Sequence, residues 1–78
     1  MSLKSEILKQ IVGKTIGGIV IREGVGAGPQ YQLFMIFTDN TYLEFYGNMD
    51  WSTHLVNGDV ETVRQYASRF GGRVVVIT

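Results

Sequence analysis

Tyr31-Gln-Leu-Phe-Met-Ile-Phe-Thr-Asp-Asn-Thr-Tyr-Leu-Glu-Phe-Tyr46 is the stretch that decides the fold. Residues 31–38 and 41–46 are rich in aromatic and branched side chains, as strands are. Between them stands Asp39-Asn40, a pair that tolerates the positive φ of a two-residue type I′ turn. Such a turn sets Thr38 opposite Thr41, Phe37 opposite Tyr42, Ile36 opposite Leu43, Met35 opposite Glu44, Phe34 opposite Phe45 and Leu33 opposite Tyr46. Alternation then predicts two faces. One carries Phe34, Ile36, Leu43 and Phe45; the other carries Tyr31, Leu33, Met35, Phe37, Tyr42, Glu44 and Tyr46. Neither is polar.

Working outward, residues 15–23 read as a preceding strand with Gly17 and Gly18 inside it. Interior glycines mark a bulge, a bend or a close approach by a large neighbour. Residues 24–30, with three glycines at alternate positions and then Pro29, form a connecting loop. Its glycine spacing hints at a dinucleotide fingerprint, but that motif needs a helix to follow and an extended segment follows instead. Before this strand, Leu3, Ile7, Leu8, Ile11 and Val12 recur with helical spacing. Ser2 or Ser5 suits the N-cap and Gly13 a left-handed C-terminal position.

On the other side, Gly47-Asn48 suits a tight turn, and residues 49–56 alternate as a fourth meander strand or run as a loop. Asp59 is placed to cap a second helix whose stripe is Val60, Val63, Tyr66, Ala67 and Phe70, ended by Gly71-Gly72. Residues 73–78 form a last strand, and its run Val74-Val75-Val76-Ile77 predicts burial on both faces, as an inner strand has. The expected architecture is a single α+β domain over 1–78, in the order α-β-β-β-(β)-α-β. Its sheet is mostly antiparallel, with two helices packed on one face.

Composition narrows the function. Seven Lys+Arg balance seven Asp+Glu in 78 residues, so no basic field is present to hold a nucleic acid. The absence of Cys removes disulfide, thiolate and iron–sulfur chemistry. The longest apolar run, residues 33–37, is far too short to span a membrane, and no leader pattern opens the chain; a cytoplasmic protein is expected.

Asp50-Trp-Ser-Thr-His54 gathers a carboxylate, hydroxyls and the single His. Along a strand Asp50, Ser52 and His54 stand about 7 Å apart, too far to form a triad by themselves. One His with one Asp is also short of the three or four ligands zinc takes. Neither a catalytic set, a metal site nor a cofactor is expected. What remains is a surplus of apolar sheet: two short helices cover one face, and the other needs a partner. Homo-oligomerisation, as a two-fold dimer, or docking of a protein partner is expected through Tyr31, Leu33, Met35, Tyr42, Tyr46 and Trp51. The alternative is a small-ligand pocket lined by these aromatics, with Glu44 or His54 as the polar handle.

Overall fold

The computed structural model describes residues 3–24, 31–47 and 50–78. Met1, Ser2, residues 25–30 of the expected loop, Asn48, Met49 and the side chains of Leu3 and Lys4 lie outside the described residues.

The central hairpin joins β2 (Tyr31–Phe37) to β3 (Thr41–Tyr46). Its turn takes three residues, Thr38, Asp39 and Asn40, because the observed pairs are Ile36 with Tyr42, Met35 with Leu43, Phe34 with Glu44, Leu33 with Phe45 and Gln32 with Tyr46. Asn40 N donates to Phe37 O at 3.0 Å. Asn40 alone among described non-glycine residues has a positive φ, 63°. This is the geometry of a turn followed by one left-handed residue, which needs no positive φ at Asp39. The Asp39 carboxylate instead accepts from Thr41 N, Thr41 Oγ1 and Lys14 Nζ.

The two-residue turn and its register are therefore corrected by one residue, and a one-residue slip exchanges the faces of the second strand. Tyr42 and Glu44 join Phe34 and Ile36 on one side; Leu43 and Phe45 join Leu33, Met35 and Phe37 on the other.

β1 (Ile16–Glu23) pairs antiparallel with β2, and the register shifts between Ile16 and Gly18, the irregularity expected of the paired glycines. The segment after β3 resolves into β4 (Asp50–Trp51) and β5 (Val56–Asn57), both pairing with β3. Between them Ser52 N donates to Glu44 O at 2.9 Å, while Glu44 N donates to Ser52 Oγ at 3.2 Å. A side-chain hydroxyl thus takes a place that backbone fills in a regular ladder. The segment is strand at its ends and irregular between them.

The six-stranded sheet runs β4-β3-β2-β1-β6, with β5 also on β3. β6 (Arg73–Ile77) pairs antiparallel with β1 and closes that end. It is an edge strand, with Val76 39% and Ile77 50% exposed, so the expectation of an inner strand is corrected.

Fold class and element order are as expected, but the helices do not share a face. α2 (Val60–Ser68) lays Val63 and Ala67 on Val20, Phe34, Ile36 and Tyr42. α1 (Leu3–Ile11) lays Ile7 on Phe37 and Leu43. Phe37 follows Ile36 and Leu43 follows Tyr42 in strands, so the two clusters lie on opposite sides.

Both helix ends follow local rules. The Asp59 side chain accepts from Thr62 N at 2.8 Å, and Gly13 takes φ 90° just past α1. Val12, expected in the α1 stripe, lies beyond the helix and is 81% exposed. Among the described residues no helix is long and apolar enough to cross a membrane.

Candidate functional site

The corrected register builds one row of apolar side chains across four strands. Ile21 pairs with Leu33, Leu33 with Phe45, and Phe45 with Trp51. With strands about 4.8 Å apart, such a row spans roughly 14 Å. α1 covers the neighbouring positions Phe37 and Leu43 through Ile7, and Phe45 and Trp51 of the row pack against that cluster.

What is left is an open groove of about 360 Å³ lined by Ile21, Tyr31, Gln32, Leu33, Phe45, Tyr46, Gly47, Asp50 and Trp51. The Phe45 and Trp51 rings lie 6.2 Å apart, tilted by 52°. Among the described residues Asp50 is the one charged residue in the lining, and its Oδ1 accepts from Trp51 N at 2.9 Å. Apolar walls with a few polar groups at one end are the common make-up of ligand clefts.

The six residues expected at an interface are divided by the structure. Tyr31, Leu33, Tyr46 and Trp51 line this groove. Met35 packs nearer α1. Tyr42 is buried under α2 on the opposite side, where its ring meets Phe34 edge-on at 6.0 Å. Burial pushes the Tyr42 phenol above its ordinary value, with the charges of Tyr66 and Glu44 adding to the rise.

Neither expected polar handle reaches the groove lining. Glu44 belongs to the α2 side and accepts from Gln32 Nε2 at 2.7 Å. His54 is exposed in the irregular segment, with Nδ1 3.5 Å from Thr53 Oγ1. Among the described residues no group of three or more His, Cys, Asp or Glu side chains could hold a metal.

Glu44 ends a polar chain that crosses three strands. Gln32 accepts from Arg22 Nε at 2.5 Å through Oε1 and donates to Glu44 through Nε2. Arg22 Nη1 also donates to Gly71 O at 3.1 Å, and the guanidinium lies 5.6 Å from the centre of the Phe70 ring. Arg22 is 0% and Gln32 2% exposed. A buried guanidinium stands only where acceptors surround it. Here it satisfies a carbonyl just past the C-terminal end of α2, where the helix dipole favours positive charge.

Ile21 and Phe45 were not legible as site residues, because each joins the row only through the pairing of its strand. The one available signal was period-two alternation, and it points to the row once the turn is read with three residues.

Fold and groove together define a small α+β domain with an aromatic cleft at the open end of one sheet face. No protein-family model matches the chain, and no curated protein or solved structure matches it.

Proposed function

We propose that this chain is a binding domain that holds a small, largely apolar ligand in the groove over Ile21, Leu33, Phe45 and Trp51. The supporting observation is an open groove lined by aromatic residues beside the packed Ile7–Phe37–Leu43 cluster. Its volume of about 360 Å³ is at the small end of the 300–1,000 Å³ typical of ligand sites, so a compact ligand is implied. The test is a fragment screen followed by backbone amide shifts. Binders are expected to move Ile21, Leu33, Phe45 and Trp51 together. A screen whose hits consistently shift residues of the α2 face or of β6 instead would end this reading.

A second reading, self-association, is favoured by one observation. β6 is an edge strand whose Val76 and Ile77 are exposed, and such an edge is a template for pairing with another copy. A two-fold axis normal to the sheet and centred on Val75 would set Arg73 opposite Ile77 and Val74 opposite Val76 of the second copy. Mass measured across a dilution series checks it. Val76→Lys is expected to abolish any dimer, and a monomer at every concentration rules it out.

A further inference from the structure

We propose that the open half of the α1 face, over β1 and β6, packs face to face on the same half of a second copy. This goes beyond the groove reading, with which it shares only Ile21, and it is a different contact from edge-to-edge pairing of β6.

Residues paired across strands share a face. Ile77 pairs with Ile19 and Ile19 with Met35; Val75 pairs with Ile21 and Ile21 with Leu33. Ile19, Ile21, Val75 and Ile77 therefore stand on the side of Leu33 and Met35, the side α1 occupies. Among the described residues, the cluster under α1 draws on β2, β3, β4 and Leu55, and on nothing from β1 or β6. On the opposite side of those two strands Val20 and Arg22 are fully buried and Val74 packs against the α2 cluster. On this side Ile19, Ile21 and Val75 are half-buried and Ile77 is exposed. Four branched aliphatic side chains thus carry an apolar strip out to the sheet edge.

A second copy fits this shape because the face is stepped, with α1 over one half and the other half open. Packed sheets lie about 10 Å apart, close to the diameter of a helix, so the step is one layer high. A two-fold axis across the strands would drive each α1 into the other copy. An axis along the strands, between β1 and β6, lays each β6 over the other copy's β1 and stands each α1 beside the other's β6 edge. One contact then covers both the open strip and the edge strand.

Charge agrees with this axis. Arg73 pairs with Glu23 at one end of the same face. An axis along the strands keeps that end over its counterpart, so Arg73 of each copy meets Glu23 of the other and closes the end of the apolar strip. Two strands of face and one edge per copy fall short of the ~800 Å² each partner gives to a standard interface, so a weak, reversible dimer is expected.

Sedimentation of the full chain over a dilution series up to millimolar protein is the test, with circular dichroism to confirm that each variant is folded. Ile19→Lys sets a charge within the strip, away from the sheet edge, and is expected to weaken the dimer at least about tenfold. Val76 pairs with Val20 and so faces the α2 side; Val76→Lys is expected to leave this dimer in place. Edge-to-edge pairing predicts the reverse, and a dimer lost in Val76→Lys but kept in Ile19→Lys overturns the proposal.

Arg73 is exposed, so its variants carry the test if Ile19→Lys does not fold. Arg73→Glu is expected to weaken the dimer about fivefold, and adding Glu23→Arg to restore it. A double variant no tighter than Arg73→Glu alone overturns the proposal. A monomer at every concentration overturns it together with edge pairing, and leaves the groove reading to its own fragment screen.

Discussion

Val60 of α2 lies against Gly18 of β1 so closely that a Cβ built at Gly18 would stand 2.6 Å from Val60 Cγ2. The carbonyl of Ile77 lies 3.4 Å from the same point, so the new atom has no free direction. This contact sets how near the N-terminal end of α2 approaches the sheet. Gly18→Ala is expected to cost about 1–3 kcal/mol, the usual range for overpacking. Adding Val60→Ala to it is expected to recover part of that loss. Urea unfolding of the single and double variants measures both, and additive costs would contradict the contact.

Asn40 holds the left-handed position of the central turn, at φ 63°. Asn40→Val is expected to destabilise by roughly 1–2 kcal/mol, because a branched side chain resists that conformation. Asn40→Gly is expected to be neutral or slightly stabilising. A thermal melt that ranks valine equal to glycine would contradict the three-residue turn.

Gln32 links Arg22 to Glu44. Gln32→Leu removes an acceptor from the buried guanidinium and a donor from the carboxylate, and is expected to cost about 1–3 kcal/mol. Replacing all three, as Arg22→Met with Gln32→Leu and Glu44→Leu, removes both charges together with the amide that links them and is expected to be more stable than Gln32→Leu alone. Chemical denaturation decides the order of the two.

Acid and alkali act at opposite ends of the β2–β3 hairpin's titration range. Hydrogen bonds from Lys14 and Thr41 lower the Asp39 carboxyl from 3.8 to about 2. Its contribution to stability is therefore full above about pH 4 and is lost as pH falls towards 2. Tyr42 shifts the other way, raised above 10.0 chiefly by burial, so its contribution holds below pH 10 and is lost above it. Melting temperature against pH is expected to flatten on the acid side in Asp39→Asn and on the alkaline side in Tyr42→Phe. Unchanged profiles would contradict these environments.

Much of the chain was legible locally. Asp59 before Val60, Gly13 after Ile11, and Gly71-Gly72 after the second helix mark boundaries through caps and left-handed glycines, which depend on the nearest few residues. The glycines of β1 announced both a register shift and a close neighbour, and Gly18 supplies that neighbour in Val60. The groove was half legible. Tyr31, Leu33, Tyr46 and Trp51 were singled out and line it; Glu44 and His54 were singled out and do not.

By itself the sequence determined which segments are helices and strands, their order, and the position of the hairpin, because periodicity, caps and turn residues act over a few positions. The tertiary structure alone decided the register, the side each helix covers, the edge position of β6 and the groove. Thr38-Asp39-Asn40 can close a hairpin over two residues or three, and local geometry does not choose between them. The choice comes from packing: only the three-residue turn places Tyr42 under α2 while Leu43 meets Ile7 of α1. A run such as Val74-Val75-Val76-Ile77 reads the same in a sheet's centre or at its edge, since strand neighbours come from distant parts of the chain. The row Ile21–Leu33–Phe45–Trp51 exists for the same reason: four strands supply one residue each, and their pairing brings them into line.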